Sequence, residues 1–192
     1  MELRRVVVTG LGALTPIGNN IQEYWNGLIN GVSGAAPITY FDASKFRTQF
    51  ACELKNFNIG DFMDRKEARK MDRYAQYAMV SSDEAVRDAN FDLEKLDKDR
   101  VGVIWGSGIG GLETFQMEVL DYAKGDGTPR FNPFFIPKVI PDIASGWISM
   151  KYGTRWKRET ESWVLLSSVR TIRRWQGSIP TTQKCSPLMR RL

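Results

Sequence analysis

The chain has 192 residues, 42% hydrophobic and 26% charged, enough for one buried core and ordinary for a globular protein. It contains no histidine, which excludes Ser-His and Cys-His catalysis and leaves few ligands for a zinc site. The net charge of +5 is unevenly spread: residues 1–153 hold 18 basic and 20 acidic side chains, whereas 154–192 hold nine Lys/Arg against two Glu.

The opening residues put a basic pair before an apolar run, but Thr9, Gly10 and Gly12 break that run, so Arg5–Thr9 reads as a strand rather than a signal peptide. Gln22–Ile29 reads as a short helix closed by Asn30 and Gly31, and Phe50–Leu54 as a strand. Asp64 with Glu67 three residues on has the form of a capping box. From Met71 to Ala89 apolar and small residues recur at helical spacing and predict one buried face. Val101–Trp105 is a strand that enters Gly106-Ser-Gly-Ile-Gly-Gly111, followed by a helix at Leu112–Ala123. Pro133, Pro137 and Pro141 punctuate a loop leading into a helix that runs through Met150 and is capped by Gly153. Strands alternating with helices predict an α/β fold with a largely parallel sheet.

Gly106-x-Gly108-x-x-Gly111 has the spacing of a dinucleotide fingerprint. That motif also needs a second strand ending in an acidic residue about 20 residues on, and here a Gly/Asp loop and a Pro-rich segment follow. A tight turn is the better reading, and no cofactor or metal is expected. Cys52 reads as a buried, inert thiol within a strand, and Cys185 as an incidental one beside Lys184. Two cysteines make no disulfide framework and fit a reducing cytoplasm. No run approaches the roughly 20 apolar residues of a membrane helix, so no membrane partner is expected.

Arg5-Val-Val-Val-Thr-Gly-Leu-Gly-Ala-Leu-Thr-Pro-Ile-Gly18, Arg65–Arg73, Gly106–Gly111 and Asn132-Pro-Phe-Phe-Ile-Pro137 together resemble the elongating type II β-ketoacyl-acyl-carrier-protein synthases, in order and in approximate spacing. The resemblance covers residues 1–153. It implies the N-terminal portion of a thiolase-like fold, incomplete, in a family that is usually homodimeric, and a decarboxylative Claisen condensation using acyl- and malonyl-acyl carrier protein. It implies carrier docking at Lys66, Arg69 and Lys70, which with Arg73 fall at i, i+3, i+4 and i+7 and are expected on one helical face. It also implies an acyl pocket touching Ile109, Phe135 and Ile136.

Family members continue past Gly153 into a strand and a nucleophile turn, whereas this chain continues Thr154-Arg-Trp-Lys-Arg158. No catalytic residue is therefore assigned, and the chain is expected to be inactive as given. The alternative is a non-catalytic ketosynthase-like partner or carrier-binding fragment. Residues 154–192 are expected to be an unrelated basic tail, irregular or disordered, of the kind an out-of-frame reading, a cloning junction or a divergent end produces. Arginine interleaved with tryptophan there could grip phosphates and stack on bases, yet no motif frames these residues and no nucleic-acid partner is expected.

Overall fold

The computed structural model describes residues 6–90, 92–154, 163–167 and 170–174. Strand β1 (Val6–Gly10) is the β-branched run foreseen from the sequence. It leads through a turn to helix α1 (Ile21–Ile29), whose N-cap Asn20 accepts the Glu23 N–H at 2.8 Å. Between them, the path of the backbone depends on glycine. A Cβ on Gly10 would lie 2.2 Å from the Ala85 carbonyl oxygen, and one on Gly12 would lie 2.0 Å from that of Ser81. Gly10 and Gly12 thus let the turn rest directly on the helix carrying Ser81 and Ala85.

The strand expected at Phe50–Leu54 is shorter: β3 is Phe50–Ala51, paired antiparallel with β2 (Ala36–Pro37). Beyond Ala51 the partner is a side chain, because the Glu53 carboxylate accepts the Thr39 N–H and, at 2.7 Å, its hydroxyl. Cys52 therefore lies outside the strand and is exposed, contrary to the buried thiol expected.

The basic segment is likewise interrupted. Helix α2 spans only Arg65–Ala68, and α3 begins afresh at Arg73 and runs to Ala89. Each has its own aspartate cap: Asp64 accepts the Lys66 N–H at 2.7 Å, and Asp72 accepts that of Tyr74 at 3.3 Å. Met71 is buried at the bend, where its N–H donates to the Ala68 carbonyl, and the Gln76 amide donates to the Ala68 and Met71 carbonyls. Lys66, Arg69, Lys70 and Arg73 consequently do not share one continuous helical face. Glu67 does not close a capping box either, since its carboxylate pairs with Lys70.

Strand β4 (Val101–Trp105) is where the sequence reading placed it. Helix α4 (Leu112–Lys124) follows the glycine loop. The proline segment contains a short helix not anticipated, α5 (Phe135–Val139). Pro137 is tolerated because N–H groups of a first turn have no helical partner. Helix α6 (Ile143–Tyr152) ends at Gly153 in the left-handed conformation.

Within 154–192, expected to be irregular, two segments are strands. β5 (Trp163–Ser167) lies parallel to β4, and β6 (Arg170–Arg174) lies antiparallel to both β5 and β1. The Trp-Val-Leu-Leu run at 163–166 has strand propensity, and the β4 edge offers unpaired N–H and C=O groups to receive it. The sheet order is β1-β6-β5-β4; β1, β5 and β4 share one direction and β6 opposes them, so the sheet is mixed. Residues 175–192, with Cys185, lie outside the described residues.

The core joins α3, α6 and β4 through Met71, Ala75, Ala78, Met79, Val103, Ala144 and Ile148. Ala75, Ala78 and Ala144 are fully buried, and their small side chains allow α3 and α6 to pack closely.

Candidate functional site: a basic bend and a glycine loop on a short helix

At the α2–α3 bend, Lys66 and Arg69 are exposed and have no ion-pair partner among the described residues. Lys70 differs, because its ammonium lies 2.6 Å from Glu67 and is half-covered. Arg73 stacks its guanidinium 4.9 Å above the Tyr40 ring, with Glu113 at a loose 3.9 Å. The bend is anchored from beneath. Asp72 accepts the Thr114 hydroxyl of α4, and the Tyr74 hydroxyl donates to the Ile140 carbonyl. Burial, then Asp72 and Asp142, push the Tyr74 hydroxyl up to about 12, so it remains a donor at neutral pH.

The glycine loop lies directly on α5. Gly110 has φ +82, and a Cβ there would meet the Val139 carbonyl oxygen at 2.2 Å. The Gly111 N–H donates to that same oxygen at 3.2 Å, and Ser107 Oγ accepts the Gly110 N–H at 3.1 Å. Ile109 is thereby carried to the same end of the fold as Phe135 and Ile136. Phe135 is half-buried, stacked on Phe115 and Phe131 with centroids 6.1 and 5.6 Å apart. Ile109 and Ile136 are 66% and 60% exposed, so these three residues form no enclosed tunnel in this chain.

Two arrangements were not visible in the sequence reading. One is an aromatic cleft beside Arg73, lined by Tyr40, Phe57 and Tyr77. The other is a pair of carboxylates on α3 that hold the first turn: Asp88 accepts the Leu11 N–H, and Glu84 accepts those of Ala13 and Ile21, all at 2.8–2.9 Å. Carboxylates four residues apart on a helix whose neighbours are buried could have signalled the second.

The family model for "Beta-ketoacyl synthase, N-terminal domain" matches residues 3–155. The chain belongs to the β-ketoacyl synthase family. It is 47% identical over 155 residues to 3-oxoacyl-(acyl-carrier-protein) synthase 2 of Staphylococcus aureus, covering 79% of this chain and 36% of that protein. Against the synthase 2 of a Synechocystis species, identity is 44% over 158 residues, covering 81% and 37%. The chain thus spans little more than a third of the length of the curated relatives it matches. Among solved structures, the ishigamide ketosynthase/chain length factor superimposes with TM-score 0.67 at 27% identity, covering 86% of this chain and 40% of that one. A type II polyketide acyl-carrier protein in complex with its ketosynthase matches at TM-score 0.67 and 25% identity, covering 81% and 42%. The fold is therefore the N-terminal portion of a thiolase-like ketosynthase, with its helices packed on a mixed sheet. No helix among the described residues is long and apolar enough to cross a membrane.

Proposed function

We propose that residues 1–153 supply the opening portion of an elongating β-ketoacyl-acyl-carrier-protein synthase of the cytoplasm, with the basic segment 154–192 unrelated to it in sequence. The complete reaction would be decarboxylative condensation of an enzyme-bound acyl chain with malonyl-acyl carrier protein. The observation that carries this reading is the 47% identity to a synthase 2 over 155 residues, with the family model matching residues 3–155. In this reading Lys66, Arg69 and Lys70 receive the acidic surface of acyl carrier protein by charge pairing and steering. Ile109, Phe135 and Ile136 contribute to the acyl path, completed by the remainder of the fold and a second subunit. Without a histidine the chain carries no base for a Cys-His pair, so it binds carrier without condensing substrates.

The test is surface plasmon resonance against immobilised acyl carrier protein at several salt concentrations, alongside a condensation assay. The Lys66→Glu, Arg69→Glu double variant should bind about tenfold more weakly at low salt, with the difference shrinking as salt rises. Lys70→Gln should cost less, because Lys70 is already paired with Glu67. Equal binding by the double variant and the unaltered chain would overturn the docking assignment. Condensation by the purified chain would overturn the inactive reading.

A second reading is a non-catalytic partner of an intact ketosynthase, supported by the absence of histidine and by the likeness to a ketosynthase/chain length factor structure. Co-purification with an intact β-ketoacyl synthase would support it, and independent elution of the two would remove it.

A further inference from the structure

We propose that the cleft between Tyr40, residues 54–59 and the first turns of α3 binds a small monoanion with a flat apolar body, of the aromatic-carboxylate class. Its volume is about 380 Å³, within the range of small-ligand sites. Three rings stand beside Leu54 and Ile59 in the apolar wall: Phe57 meets Tyr77 edge-on at 5.3 Å, and Tyr40 lies against Arg73. Such walls favour a planar ligand that can stack or present an edge.

Charge selects an anion. Among the described residues, Arg73 is the one charged residue lining the cleft. Its guanidinium carbon lies 4.9 Å from the Tyr40 ring centroid, and apart from Glu113 its N–H groups have no partner among the described residues, so they are available to a carboxylate. The competing Glu113 sits 3.9 Å away, and both side chains are more than half exposed, so that pair is weak and readily exchanged.

The walls are also fixed before any ligand arrives. The Asn19 amide donates to the Lys55 and Asn56 carbonyls at 2.9 and 3.4 Å, and Asn56 is held at φ +55. Gln76 is tethered to the Ala68 and Met71 carbonyls. Burial, with Tyr40 alongside, pushes the Tyr77 hydroxyl up to about 12, so it stays neutral beside an incoming anion. Pre-set walls lower the ordering cost of binding. This site is independent of the carrier-docking reading, which rests on Lys66 and Arg69.

The experiment is isothermal titration of the 192-residue chain with 2-naphthoate and with its neutral counterpart 2-naphthamide. Saturable one-to-one binding of the naphthoate is expected, with the amide about tenfold weaker. Arg73→Gln should weaken naphthoate about tenfold and leave the amide unchanged. Equal affinity for acid and amide, or no saturable binding up to about 5 mM, would overturn the proposal. The acid-against-amide comparison uses the unaltered chain, so it decides the question even where Arg73→Gln fails to fold.

Discussion

Asp83 on α3 accepts the hydroxyl of Tyr152, at the end of α6, at 2.5 Å. Its second carboxylate oxygen takes the Lys151 ammonium at the same distance. One carboxylate thus closes the α3–α6 packing at the opposite end from the Met71 bend. The side chain of Asp83 is 19% exposed and that of Lys151 41%, so the phenol bond rather than the ion pair carries most of the coupling. Tyr152→Phe should cost about 1–2 kcal/mol, and Asp83→Ala more, because it leaves a half-buried phenol unpartnered. Urea denaturation of the two variants checks the order, and a larger loss for Tyr152→Phe would contradict it.

The same packing makes the protein sensitive to alkali. Burial pushes the Tyr74 and Tyr77 hydroxyls up to about 12 and that of Tyr152 higher still, the last with help from Asp83. A folded-state value above the unfolded one means the stabilisation is complete below the unfolded value, near 10, and is lost as pH rises through the folded value. Stability should therefore decline from about pH 10 upward, and Tyr152→Phe should flatten that decline. Chemical denaturation between pH 8 and 11 reads the slope directly. An unchanged slope in Tyr152→Phe would assign the alkaline loss elsewhere.

Two glycines separate crowding from backbone strain. Alanine at Gly12 would place its Cβ 2.0 Å from the Ser81 carbonyl oxygen, which the helix backbone cannot yield without moving α3. Gly31 has φ +63 but nothing within 4 Å. Gly12→Ala should cost about 3 kcal/mol or more, and Gly31→Ala about 1–2 kcal/mol. Comparable melting temperatures for the two variants would show that the turn is not seated on α3 as described.

The α/β alternation was legible because β1, α3 and β4 carry strong local patterns: a β-branched run, a helical face from Met71 to Ala89, and an apolar segment ahead of glycines. The break between α2 and α3 was not. Lys66, Arg69, Lys70 and Arg73 have helical spacing, and only the competition of a second aspartate cap at Asp72, with Met71 drawn into the core, divides the helix. Phe50–Leu54 failed for a related reason, since Glu53 satisfies Thr39 through its side chain and ends the ladder. The Arg73 cleft was hidden because its walls come from three stretches about 15–20 residues apart, and no local pattern joins Tyr40, Phe57 and Tyr77.

Glu84 shows what a half-buried carboxylate costs and contributes in one place. Burial raises its carboxyl above the ordinary carboxylate range, against the opposing pull of the Ile21 and Ala13 N–H groups and Arg87, with Asp88 adding to the rise. Its oxygens hold those two N–H groups at 2.8 and 2.9 Å, fixing both ends of the first turn to α3. Glu84→Ala should cost about 2–3 kcal/mol by leaving both donors without an acceptor. The pH response has a definite sign. Because the folded value is raised, the proton-linked stabilisation is complete below the unfolded glutamate value and is lost as pH rises through the folded one. Relative to Glu84→Gln, which cannot titrate there, the unaltered chain should therefore lose ground over the interval above the unfolded glutamate value of about 4. Urea midpoints of both proteins across that interval test it. A difference that stays constant with pH would mean that Glu84 is no more desolvated in the fold than in the unfolded chain.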